Sequence, residues 1–174
     1  ETRPVFSWEG PSSGPWPLSF PESTTQLQIS NDLTTCAWVR ASRRASDWAR
    51  IIGRGGFWCR NYGLWVSSDG RPDSEVAFDR IRGADAESST AFPLNTWTHL
   101  CQRYIRGDVN EIYMDGVLMK SERVSDGDPC IKRHPLTIGY AGYHARWRGD
   151  IAGAKVYDSA INVADIQTMA SEGI

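Results

Sequence analysis

The stretch "TWTHLCQRYIRGDVNEIYMDGVLMKSE", residues 96–122, restricts the fold more than any other part of the chain. It holds two tight-turn signals, Gly107-Asp108 between Ile105 and Val109 and Asp115-Gly116 between Tyr113 and Val117. Such pairs tolerate the positive φ angles that two-residue hairpins need, so the stretch predicts three successive antiparallel strands. A hairpin sheet is stable only when one face is packed, and 174 residues suffice to bury about two thirds of the unfolded surface in one core. One domain is the default.

The rest of the chain continues the pattern. "PLSFPES", "TTQLQIS" and "LTTCAWVRAS" alternate apolar and polar positions with period two, as half-buried strands do. "RIIGRGGFWC" carries Ile51 and Ile52 into a glycine cluster that predicts a turn or bulge, and "YGLWVSSDGRP" gives a strand through Leu64 and Val66 that ends at Asp69-Gly70. "SEVAFDRIRG", "PLTIGYAG" and "GDIAGAKVYDSAI" are further strand candidates. Only "NVADIQTMAS" reads as helix, with Asn162 as N-cap, Asp165 in the first turn, and Ile166, Met169 and Ala170 on one face. Residues 1–17, rich in proline, glycine and serine with Trp8 and Trp16 as anchors, predict an irregular segment packed on a domain that spans 18–174. The expected class is all-β: a two-sheet antiparallel sandwich or jelly roll with one short helix near the C-terminus.

Composition narrows the function. A formal charge of −2 offers no general attraction to phosphate backbones, so nucleic acid is not an expected partner. No run reaches the eighteen or so apolar residues of a membrane span, so no membrane insertion is expected. Cys36, Cys59, Cys101 and Cys130 are dispersed, without the close pairs of zinc or redox motifs. Two disulfides in any of three connectivities suit them, and point outside the cell, where such bonds persist. The opening "ETRPVFSWEG" reads as a mature or excised segment.

Taken in order, "LSFPESTTQLQI", "LTTCAWVRA", "NTWTHLCQRY", "NEIYMDGVLM", "LTIGY" and "GDIAGAKVYDSAINVADI" resemble the pentraxin and laminin-G-like jelly rolls of the concanavalin A-like kind. The resemblance covers residues 18–170. It implies that Cys101 faces Cys36 on a neighbouring strand, which leaves Cys59 with Cys130. It also implies a secreted or ectodomain recognition role, with a glycan or an extracellular protein as ligand and with room for assembly into a homo-oligomer. The departures bear on the metal. His99 and Cys101 fit the pentraxin signature, whereas Arg103 and Tyr104 replace its hydroxyl residue and tryptophan. Where that family binds calcium through an Asp-Asn pair, this chain has Arg60-Asn61, and the later "GYAGYHARWRGD" offers rings and guanidiniums. Calcium asks for six to eight oxygens; no metal and no cofactor is expected.

The candidate ligand site is therefore Trp58, Arg60, Asn61 and Tyr62 from one loop with Tyr140, Tyr143, His144, Arg146 and Trp147 from another. Aromatic rings take the apolar faces of sugars, and arginine and asparagine bind hydroxyls or pair with acidic groups, so a lectin-like site for a glycan, an acidic one included, suits this set. A protein-interaction or adhesion module is the alternative. Arg40, Arg43, Arg44 and Arg50 around Trp48 read as a charged surface loop, and Asp69, Asp73, Asp126 and Asp128 as turn residues. His99 reads as a packed strand residue. Glu111 and Asp115 have the spacing of a glycosidase carboxylate pair, but Asp115 belongs to a turn, so no enzyme is expected.

Overall fold

The computed structural model describes residues 3–4, 6–8, 18–21, 23–78, 83–124 and 127–174. Two six-stranded antiparallel sheets pack face to face. The first is built, in spatial order, from β1 (Phe6–Trp8), β12 (Gly149–Tyr157), β3 (Leu33–Ala41), β8 (Thr98–Ile105), β9 (Val109–Met114) and β10 (Val117–Arg123). The second runs β2 (Leu18–Phe20), β11 (Leu136–Ile138), β4 (Ala49–Gly56), β5 (Cys59–Val66), β6 (Pro72–Ala77) and β7 (Gly83–Glu87). The one α-helix among the described residues, α1 (Val163–Glu172), follows β12. This is the expected jelly-roll sandwich. Among the described residues, no helix is long and apolar enough to cross a membrane.

Both hairpins form where the turn pairs predict them, and at the second Asp115 (φ 49°) and Gly116 (φ 77°) both take the left-handed conformation. The core lies between the sheets and is filled by Leu33, Val39, Ile51, Leu64, Val76, Leu100, Ile112, Leu136 and Ile151 among others. Each such side chain contributes about 1.5–3 kcal/mol on burial. A second, smaller cluster lies on the outer face of the first sheet. There α1 sets Ile166 and Met169 over Tyr113, Tyr157 and the Cys36–Cys101 disulfide. Asn162 occupies the N-cap position, but its side chain makes no capping bond, so packing of Ile166 is what seats the helix.

The disulfides pair as the resemblance implies. Cys36 and Cys101 face each other directly across β3 and β8, and Cys59 joins Cys130. Three expectations change. "TTQLQIS" is not a strand: it forms a 3-10 turn at Thr25–Leu27, after which Leu27 and Ile29 stay buried. Side chains replace a strand partner there, because Asn61 bonds both the N–H and the C=O of Ile29 and the Tyr62 hydroxyl donates to the Leu27 carbonyl. The strand expected through Ile81 ends at Ala77, and residues 79–82 lie outside the described residues. Within the first seventeen residues Phe6–Trp8 pairs with β12, while residues 9–17, Trp16 included, lie outside the described residues.

Candidate functional site

The outer face of the second sheet carries a groove of about 270 Å³. Its floor follows from strand alternation. On β5, Tyr62, Leu64 and Val66 point into the core, so Trp65 points out. Trp65 lies opposite Asp73 on β6, Glu75 opposite Asp85 on β7, and Asp73 opposite Glu87. Glycines clear the space these side chains need. A β-carbon on Gly63 would collide with Trp65 Nε1, and one on Gly53 would sit 2.7 Å from the Tyr62 carbonyl oxygen and 3.2 Å from Arg50 Nε. Both side chains therefore lie flat against the backbone, with the Arg50 guanidinium 4.5 Å from the Trp65 ring centroid. The walls come from the β4–β5 turn and from the loop before β12. That loop is tied to the start of β4 by Ala145 N–H to the Trp48 carbonyl at 2.9 Å. It sets His144 against Trp65 and Tyr143 against Phe57, with ring centroids at 5.6 Å and 5.4 Å.

Charge in the groove is unevenly matched. Arg50, only 1 % exposed, donates to the Gly55 carbonyl, Thr137 Oγ1 and the Tyr143 hydroxyl. Burial pulls its guanidinium below the usual arginine range. Arg60 donates to Glu75 at 2.6 Å. Burial would lower the Arg60 guanidinium, but Glu75 and Tyr143 together outweigh it and the net shift is upward. Burial raises the Glu75 carboxyl against the pull of Arg60, and raises Asp85 likewise. Asp73 is lifted well above the ordinary carboxylate value, first by burial and then by Asp85, Glu75 and Glu87. Its Oδ1 is covered and has no hydrogen-bond partner. At the rim, His144 Nδ1 lies 2.7 Å from Asp47, and this hydrogen bond holds the Asp47 carboxyl below its usual range.

A stability prediction follows from Asp73. Above pH 3.8 the unfolded chain ionises this residue freely while the folded chain resists, so the wild type loses stability as pH rises through that window. Asp73→Asn is therefore expected to raise Tm at pH 7 and to change it little at pH 3.5. Relief of a buried carboxylate whose Oδ1 has no partner is worth about 1 kcal/mol or more, which is roughly 2–4 °C in a chain of this size. Thermal scans of both proteins at the two pH values check this.

Of the residues singled out in the sequence, the structure brings Arg60, Tyr143 and His144 to the groove, with Trp58 on the adjoining β4–β5 turn. Phe57 and Trp58 are 50 % and 58 % exposed and stack edge to face at 4.7 Å. Arg146 stacks on Tyr140, 4.4 Å from its centroid. Asn61, Tyr62 and Trp147 are corrections. They are buried, Asn61 and Tyr62 holding the 27–29 segment, and Trp147 packing on Phe92 and donating to the Asp150 carbonyl. Arg50, expected in a surface loop, is instead the most enclosed charge of the groove. Trp48, Trp65, Asp73, Glu75 and Asp85 were not singled out as ligand groups. The signal for the acids was the alternation in "PDSEVA" and "GADAE", which puts every carboxylate on one face.

Other constellations are spent. Cys36, His99 and Cys101 bring three potential metal ligands within 4.8 Å, but both sulfurs are in the disulfide. Burial, with Lys155 adding to it, lowers His99 to about 4, so it stays neutral near physiological pH. A more open basin of about 590 Å³ is lined by Asn31, Asp32, Arg106 and Asp158. It has no aromatic wall, and its arginine is bonded to Asn31 and paired with Asp128.

No curated protein sequence matches the chain. Solved structures similar to it include the CBM40 domain of the Ruminococcus gnavus IT-sialidase bound to α2,3-sialyllactose, with a TM-score of 0.79 and 10 % identity over 97 % of this chain and 100 % of that one. Domain 4 of the extracellular arabinanase AbnA from Geobacillus stearothermophilus, in complex with arabinotriose, has a TM-score of 0.68 and 13 % identity over 94 % of this chain and 81 % of that one. The heptameric SAP-like pentraxin of Limulus polyphemus has a TM-score of 0.63 and 17 % identity over 94 % and 80 %. A laminin-G-type family model, described as the Concanavalin A-like lectin/glucanases superfamily, matches residues 17–167, and the chain belongs to that superfamily.

Proposed function

We propose that the chain is an extracellular, non-catalytic recognition module that binds a glycan, without calcium, in the groove on the outer face of the second sheet. The observation that carries this reading is the lining, in which Trp48, Trp65 and His144 stand beside Arg60, Asp73, Glu75 and Asp85. Sugar rings present apolar C–H faces to aromatic rings, and their hydroxyls accept from guanidinium N–H and donate to carboxylates. Sheet strands and the Cys59–Cys130 bond hold the lining in place, so little entropy is lost on binding. Two similar domains were solved with oligosaccharides, which adds support at the level of the fold. Two disulfides favour an oxidising compartment.

Binding without turnover fits the carboxylates. Glu75 is engaged by Arg60, and Asp73 Oδ1 is covered. Glu111 accepts from Arg103 and Tyr113, and Asp115 accepts from the His99 N–H, both on the other sheet. None of these forms a pair open to a water and a scissile bond. An acidic glycan is disfavoured, because Arg60 is already neutralised by Glu75 and Arg50 is enclosed.

The test is calorimetry on glycans selected from an array. Trp48→Ala removes a half-buried ring from the wall and is expected to weaken binding about tenfold, equivalent to roughly 1.4 kcal/mol, with Tm nearly unchanged. Chelator is expected to change nothing. Silence across the array, or full affinity in Trp48→Ala, contradicts the reading.

A further inference from the structure

We infer that the ligand is a glycan carrying a primary ammonium, a hexosamine with a free amino group, and that the exposed Asp85 receives that ammonium with the buried Asp73 beneath it as counter-charge. The inference rests on the glycan reading above and names the class of sugar.

The groove lining has more carboxylates than guanidiniums. Asp73, Glu75 and Asp85 line it with Arg60, and Arg50 is enclosed behind Trp65. Arg50 donates through its two terminal nitrogens to Gly55, Thr137 and Tyr143, and Arg60 donates to Glu75, so both cations are engaged although neither Nε has a partner. The next carboxylate on β7, Glu87, is paired with Arg71 at 3.0 Å, and Asp47 is paired with His144. Among the described residues, Asp73 and Asp85 have no ion pair of their own. Like charges set opposite one another on neighbouring strands destabilise a sheet, yet β6 and β7 place Glu75 against Asp85 and Asp73 against Glu87.

Asp73 makes the shortage acute. It is 6 % exposed, borders the groove, and has a covered oxygen without a partner. An unpaired buried carboxylate is costly and calls for a reason. Burial, Asp85, Glu75 and Glu87 all raise the Asp73 carboxyl, so the site resists a further negative charge and favours a positive one. An ammonium on the bound sugar would supply the missing charge.

A small metal ion fits less well. Among the described residues these carboxylates form no group with ligand atoms within 4.8 Å of one another, as a bare divalent cation requires. An ammonium has three diverging donors and tolerates that spread. The volume, about 270 Å³, is at the small end for a ligand pocket and suits one sugar unit with Trp48 at its side.

The experiment compares tri-glucosamine, its fully N-acetylated counterpart, an oligogalacturonate and spermidine by calorimetry on the full chain at about pH 6, where the sugar amine is protonated. The expected result is at least tenfold tighter binding of the free amine than of the N-acetylated sugar. Asp85→Asn and Asp73→Asn should each bring that ratio to about twofold or less, and thermal scans verify that both variants fold. Equal or tighter binding of the N-acetylated or acidic sugar overturns the inference and leaves the glycan reading standing. So does an unchanged ratio in both variants. Spermidine binding as tightly as the amino sugar replaces the sugar by a simple polyamine and overturns it too. Binding of none of the four, nor of any other glycan, removes both readings.

Discussion

Replacing Cys36 and Cys101 together by alanine is expected to lower the unfolding free energy by about 4 kcal/mol. The bond joins positions 65 residues apart, and in the chain-entropy model its loss returns that loop-closure freedom to the unfolded state. A domain of this kind holds about 5–15 kcal/mol in total, so the loss is a large share. The folded state suffers as well, because both sulfurs pack under α1 against Tyr113, Tyr157 and Ile166. Urea denaturation without reductant measures the effect. A loss under about 1 kcal/mol would mean that the unfolded chain already keeps β3 and β8 together.

The second large effect is expected at Asn110, on β9 of the first sheet. Its amide donates to the Ser74 and Ala84 carbonyls at 2.7 and 2.8 Å, and its oxygen accepts from the Ser74 hydroxyl. Asn110 is fully buried and bridges between the sheets. Gln102 on β8 does the same for the Glu75 carbonyl at 3.0 Å. These bonds anchor, from behind, the two strands that carry the acidic wall of the groove. Asn110→Ala leaves two carbonyls and a hydroxyl without that partner in the interior, at about 1–3 kcal/mol for each group left unsatisfied. A total near 3 kcal/mol is expected in urea denaturation, together with faster amide exchange in β6 and β7. A loss below 1 kcal/mol, with exchange unchanged, would show that the strands are held by packing alone.

How far the sequence could be read depends on which face of a strand is asked about. The three-strand meander from Thr98 to Arg123 was legible because its turns demand particular residues and its edge strand faces solvent. The disulfide pairing was legible through family resemblance, not through spacing. The groove was not legible. On β4 and β5 nearly every residue is buried on both faces, since the 24–30 segment and the loop before β12 cover them. Alternation is lost there, so Trp65 and Arg50 cannot be told from core and surface residues by pattern. Asn61 and Tyr62 misled for a related reason: they stand next to Arg60 in sequence, but their polar atoms serve backbone groups some thirty residues away. What the structure does show of that set is proximity: Arg60 of the hairpin and Tyr143 and His144 of the late loop meet at one rim.

The central claim is the place of binding, and amide chemical-shift mapping tests it most directly. The uniformly labelled chain is titrated with whichever oligosaccharide binds. The account predicts that the largest shifts fall on Trp48, Arg60, Trp65, Asp73, Glu75, Asp85 and His144, with the indole N–H signals of Trp48 and Trp65 among them. Shifts gathered instead around Asn31, Asp32, Arg106 and Asp158, with the groove silent, would contradict it.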